Sequence, residues 1–180
     1  EVRTPLAVLK LELENINHPR ARKAEADLDE LTEFVAQLTA LARLEAIADD
    51  QFQATDLAEL GEAVVASIAP WVFERGDSIG FRSLGTGTAL LVPGLVRDVC
   101  RNLIENAVRH SPPGTAILLI AGPGPMIRIR DDGQKPTDIR PSRSRDSLGI
   151  GLMIVERVLA LHGARMEKTS GDNGFEVTIT

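Results

Sequence analysis

The first forty-eight residues contain no glycine and repeat their apolar side chains every seven residues, a pattern that restricts this part of the chain to helices with one face in need of cover. Leu6, Leu9, Leu13 and Ile16 recur at steps of three, four and three. Leu28, Leu31, Val35 and Leu38 repeat that spacing, with Phe34, Leu41 and Leu44 widening the stripe. Only Pro5 and Asn17-His18-Pro19 interrupt the run, so two helices joined by a short turn are expected. One antiparallel pair cannot cover faces this wide. A second copy of the hairpin would complete a four-helix bundle as a homodimer, while packing on the rest of the same chain is the alternative.

Past residue 48 the texture changes. Residues 49–55 read as a polar linker, and residues 56–180 as a second domain. Asp56 can cap a helix running from Leu57 to about Arg75, ended by Gly76-Asp77. Ser78–Ser83 and Ala89–Val92 have strand character, and a helix is expected from Leu95 to His110. Thr115–Ala121 and Met126–Arg130 read as a hairpin around Gly122-Pro123-Gly124. A basic loop then leads to a helix from Ile150 to His162, and Arg165–Ser170 and Phe175–Thr180 close the chain as two strands. The expected fold class is therefore α+β: an N-terminal antiparallel helical hairpin over residues 1–48, then helices against one antiparallel-dominated sheet.

Composition narrows the function. Twenty basic against twenty-six acidic residues leave a net charge of −6, so nucleic acid is not an expected partner. No apolar run approaches the roughly 18 residues of a membrane span, so direct membrane contact is not expected of this stretch. Cys100 is the single cysteine and reads as a packing residue in a reducing compartment. The chain opens at Glu1 without a methionine, as a piece of something longer would.

Four short patterns can carry chemistry. Asn102, Glu105, Asn106 and Arg109 stand three and four apart and share one helical stripe. Asparagine is a mediocre helix former, so two on one face call for a reason. A divalent cation with phosphate oxygens is one, since amide oxygens are hard ligands and Arg neutralises phosphate; a solvated face is the other. Asp131-Asp132-Gly133 closes a strand, where a carboxylate can accept a hydrogen bond from an exocyclic amine such as that of adenine, or simply make a turn. Leu148-Gly149-Ile150-Gly151 opens the last helix, where exposed N–H groups can hold a phosphate or the glycines can form a hinge. Glu1 and Thr4 lie one turn apart ahead of Pro5, as at any helix start.

The order and spacing of all four resemble the cytoplasmic catalytic half of a two-component sensor histidine kinase, over essentially the whole chain. Glu1–Leu6 is similar to the family's H-E-x-R-T-P-L box, Asn102–His110 to its N box, Asp131–Gly133 to the D-x-G of the first glycine box and Gly149–Leu152 to the second. Leu161-His162-Gly163 is similar to the usual L-H-G close of the last helix. The resemblance implies a dimerising hairpin and an ATP-binding α/β sandwich of the GHKL type, which passes the γ-phosphate of ATP to a histidine and then to an aspartate of a response-regulator receiver domain.

It also implies roles. Asn106 would ligate Mg²⁺, Asn102 would support the metal and phosphates, Arg109 would hold phosphate and His110 would lie beside the nucleotide. Asp131 would read the adenine amine, Gly133, Gly149 and Gly151 would give backbone room for adenine and phosphates beneath a lid of residues 134–147, and Leu148 would join the nucleotide-binding residues. The acceptor histidine would immediately precede Glu1, which would take its proton, and Thr4 would position a water for dephosphorylating the regulator. Sensing and membrane segments would lie upstream, making this the cytoplasmic portion of an inner-membrane-anchored sensor. None of His18, His110 and His162 stands at the acceptor position. Lys135 replaces the second glycine of the first glycine box, and residues 134–147 hold no Phe. Those departures frame the alternative of a non-catalytic dimeric phosphotransfer or docking scaffold with a degenerate GHKL domain.

Overall fold

The computed structural model describes residues 3–14, 47–133, 150–171 and 174–180, together with residues 16, 18, 20, 21, 23, 24, 27, 28, 31, 32, 35, 39, 42 and 44. The chain divides into two compact units, Glu1–Ile47 with Pro141–Ile154, and Ala48–Arg140 with Val155–Thr180.

In the first unit, helix α1 spans Arg3–Glu14. Pro5 falls in its first turn, where a missing N–H leaves no helical hydrogen bond unmade. Of the expected stripe, Leu9 and Ile16 are exposed and Leu13 is half-buried. Beyond the turn, all twelve described residues from Arg20 to Leu44 are helical. Thr32 and Thr39 donate their hydroxyls to the carbonyls of Leu28 and Val35, one helical turn back, at 2.8 and 2.7 Å.

The second unit carries a five-stranded sheet. A 3₁₀ turn at Asp49–Gln51 leads into β1 (Gln53–Asp56), which pairs antiparallel with β3 (Thr88–Leu91) in a separate two-stranded ribbon. The expected linker over 49–55 thus contains half of a strand pair; Gln53, Ala54 and Thr55 offer no apolar alternation, and their ladder is supplied by β3. Helix α2 (Leu57–Glu74) follows, with Asp56 as the expected N-cap accepting from the Ala58 and Glu59 N–H groups at 2.7 and 3.3 Å.

Strand β2 (Ser78–Ser83), helix α3 (Pro93–His110), strands β4 (Ala116–Ala121) and β5 (Ile127–Asp131), helix α4 (Ile150–Leu161), and strands β6 (Met166–Gly171) and β7 (Gly174–Ile179) complete the order. The main sheet runs β2-β4-β5-β7-β6, antiparallel except for the parallel pair β2–β4, whose connection passes through β3 and α3. Helix α2 packs on β2 and β4: a Cβ on Gly61 would stand 2.8 Å from both the Leu119 Cδ2 and the Phe81 ring. Helix α3 lies against α2 and β5. Val72, Val99, Cys100, Ile104, Leu119, Val155 and Val158 fill the core. Burial pushes the Cys100 thiol up to about 12, which leaves it protonated and unreactive, as a packing residue should be. Among the described residues no helix is long and apolar enough to cross a membrane.

Candidate functional site

Helix α3 begins two residues earlier than the expected Leu95, because Pro93 takes the first helical position, where its ring fixes a helical φ. Val92 precedes it as an N-cap without a side-chain acceptor. Its N–H donates instead to His162 Nε2 at 3.0 Å. Since that nitrogen accepts, the ring proton resides on Nδ1, which donates to the Val158 carbonyl at 2.7 Å. The ring also lies 5.2 Å from that of Phe52. His162 is thereby a structural link between α3, α4 and the entry to this unit.

Val96, Val99, Cys100, Leu103, Ile104, Ala107 and Val108 bury one side of α3. The periodicity leaves Asn102, Glu105, Asn106 and Arg109 on the other, with Asn102 and Glu105 half-buried and Asn106, Arg109 and His110 exposed. The Asn102 amide donates to the Asp98 carbonyl at 2.9 Å, which ties its carboxamide along the helix. Arg109 and His110 occupy the last turn, where the helix dipole favours positive charge.

Asp131 ends β5, and strand alternation turns it inward while Asp132 points out. Asp132 extends the ladder: its Oδ1 accepts from the Ala116 N–H at 2.7 Å, and its own N–H donates to the Ala116 carbonyl. Asp131 is only 3% exposed. Its Oδ1 accepts from the Gly133 N–H at 3.1 Å and the Phe175 N–H at 3.4 Å, and its carboxylate also accepts from the Ser111 hydroxyl. Burial pushes the carboxyl above the usual carboxylate range; these three hydrogen bonds oppose the shift.

Two glycines make the arrangement possible. Gly174 takes φ +107° at the start of β7, and a Cβ there would strike the Asp131 carbonyl. A Cβ on Gly133 would lie 2.8 Å from Ser111 Cβ and 3.0 Å from both Ser111 Oγ and Thr115 Oγ1. The close approach that Gly133 permits in this structure is therefore to the loop following α3.

The structure thus joins two of the sequence patterns. Ser111, the C-cap of α3, links the helix carrying Asn102, Asn106 and Arg109 to the carboxylate of Asp131. Of the remaining candidates, Thr4 lies in the first turn of α1 and Gly151 in the first turn of α4. Glu1, Leu148, Gly149 and the expected lid lie outside the described residues. Sequence reasoning missed Ser111, Thr115, Gly174 and Phe175. The run Ser111-Pro112-Pro113-Gly114-Thr115 reads only as a turn, and nothing local marks it as the partner of a strand end twenty residues on. The donor set suits a purine nucleotide with a hard cation: a buried acceptor, two carboxamides and an arginine. Among the described residues no group of three or more His, Cys, Asp or Glu could hold a metal ion.

Comparison with known proteins agrees with this geometry. Residues 92–180 match the family described as histidine kinase-, DNA gyrase B-, and HSP90-like ATPase. The sensor protein QseC of Escherichia coli (strain K12) is 29% identical over 211 residues, covering 100% of this chain and 45% of that protein. The sensor protein BasS of the same strain is 28% identical over 202 residues, covering 97% and 54%. The chain spans about half the length of these curated relatives. Among solved structures, the cytoplasmic segment of histidine kinase QseC superposes with a TM-score of 0.62 at 25% identity, covering 84% of this chain and 92% of that one. Full-length ShkA in complex with AMPPNP gives 0.65 at 25% identity, covering 99% and 43%. Residues 92–180 thus match the histidine kinase-, DNA gyrase B-, and HSP90-like ATPases, and the chain as a whole is similar to two-component sensor histidine kinases.

Proposed function

We propose that the chain is the ATP-dependent kinase core of a two-component sensor, transferring the γ-phosphate of ATP to a histidine and onward to an aspartate of a response-regulator receiver domain. The observation that carries this reading is the junction at Ser111, which links the buried carboxylate of Asp131 to the helix bearing the amide stripe. Residues 1–48 serve as the dimerisation and phosphotransfer hairpin, forming a four-helix bundle with a second copy; the exposed Leu9 and Ile16 of the seven-residue repeat support a face that another chain covers. Residues 49–55 join it to the catalytic domain over 56–180. The relatives are sensor proteins, which supports placing this part on the cytoplasmic side of an inner membrane.

Each residue has a task in that reading. Asp131 accepts from the adenine 6-amino group. Asn106 ligates Mg²⁺, whose charge would stabilise the transferring phosphoryl group, and Asn102 holds the surrounding phosphate network. Arg109 neutralises phosphate, His110 flanks the nucleotide, and Gly149 and Gly151 leave room for it beside Leu148, while Gly133 lets the loop after α3 close on Asp131. Phosphoryl transfer asks little covalent chemistry of a protein, so the domain's work is alignment and charge stabilisation. Glu1 takes the proton of the acceptor imidazole, freeing the opposite ring nitrogen to attack, and Thr4 orients water in the reverse phosphatase reaction. The test is label transfer from γ-labelled ATP to the chain carrying a histidine ahead of Glu1. Acid-labile labelling that Asn106→Ala abolishes is expected. Absence of labelling together with absence of Mg²⁺-dependent nucleotide binding would leave the docking scaffold as the reading.

A further inference from the structure

Asp77, Thr115 and Asp131 are the buried polar or charged residues among those described, and all three bear on the loop 111–115: Asp77 binds its far end at Gly114 and Thr115, and Asp131 meets its near end at Ser111. Asp77 lies just past the end of α2, apart from the four sequence patterns that carry chemistry. Its Oδ1 accepts from the N–H groups of Gly114 and Thr115 at 2.9 and 3.0 Å. The Thr115 carbonyl accepts from the Ser78 N–H at 3.0 Å, and the Thr115 hydroxyl donates to the Pro112 carbonyl at 2.6 Å. Residues 111–115 are thus fixed at one end by the C-cap of α3 and at the other by Asp77 and β2. From this loop the Ser111 hydroxyl reaches Asp131, while Ser111 and Thr115 back Gly133.

We propose that Asp77 is a positioning residue for base recognition: by clamping Gly114 and Thr115 it holds Ser111 against Asp131 and so sets the preference for a purine with a 6-amino group over one with a 6-oxo group. The inference rests on the reading that Asp131 receives the adenine amine. An ionised carboxylate only accepts hydrogen bonds, so it suits an amine and repels a carbonyl; a protonated carboxyl can donate to that carbonyl. Burial favours the protonated form and the Ser111 hydroxyl opposes it. Freeing the loop therefore lets Asp131 turn or take up a proton, and the distinction between the two bases narrows.

The experiment compares Mg²⁺-ATP and Mg²⁺-ITP affinities by calorimetry for the 180-residue chain and its variants, with thermal unfolding followed through Trp71, the single tryptophan. Asp77→Ala should shrink the ATP-to-ITP ratio about fivefold to tenfold, the equivalent of one ordinary hydrogen bond. Asp77→Asn keeps an oxygen for both N–H donors and should hold the ratio within about twofold. Ser111→Ala should narrow it as Asp77→Ala does, and decides the matter alone if Asp77→Ala does not fold. A loosened fold would weaken both nucleotides alike and leave the ratio unchanged. If Asp131→Asn abolishes the preference while Asp77→Ala and Ser111→Ala retain it, Asp77 has no such role and the adenine reading stands. If the unaltered chain shows no preference, or Asp131→Asn keeps it, the adenine reading itself falls.

Discussion

The two units of this chain treat their apolar residues in opposite ways. In the α/β unit, Ile104, Leu119 and Val72 are fully buried among residues of the same chain; in the N-terminal unit Leu9 and Ile16, at and just beyond α1, are each about half exposed. A sheet with helices packed on it closes its own core, whereas a two-helix hairpin with wide apolar faces does not. The contrast matches the division of labour we propose. One unit must fold around a nucleotide site without help, and the other must keep a face for a second chain.

The largest effect expected of breaking that contrast lies in the closed core. Ile104→Ala should cost about 2–5 kcal/mol in denaturant unfolding followed by Trp71, which reports on the α/β unit alone. Replacing Leu9 and Ile16 together by Gln should leave that transition where it is. The same pair should weaken self-association by about 2 kcal/mol, roughly thirtyfold, in sedimentation equilibrium. Unchanged association would place the covering face elsewhere. A smaller loss of about 1 kcal/mol is expected for Asp56→Ala, which removes the acceptor for two N–H groups at the start of α2.

The pH dependence sharpens the comparison within the site. Asp131 has its pKa raised by burial, so the folded state favours its protonated form. Its contribution to stability is then greatest in acid and is lost as pH rises through the raised value. Nucleotide binding runs the other way, because the amine needs the ionised acceptor. ATP affinity should fall on acidification beginning above the ordinary Asp value of 3.8, and this step should vanish in Asp131→Asn. A step that survives the substitution belongs to another group.

Most helices and strands were legible because their boundaries carry chemistry: Asp56 caps α2, Gly76 takes φ +80° beyond its end, and alternating apolar residues mark β5. Strand β1 was not, since Gln53-Ala54-Thr55-Asp56 pairs only because β3 returns beside it. The parallel pairing of β2 with β4 is equally a tertiary matter. In the candidate site, Asp131 and the stripe on α3 could be read from spacing. Asp77 and Ser111 could not, because their partners lie 37 and more and twenty residues away and no local pattern announces a buried hydrogen bond.

Calorimetric titration of the chain with ATP, with and without Mg²⁺, tests the central claim most directly. The account predicts Mg²⁺-dependent binding that Asn106→Ala weakens without moving the Trp71 unfolding transition, because Asn106 is exposed and outside the core. Binding that ignores both Mg²⁺ and Asn106, or no binding at all, would contradict it.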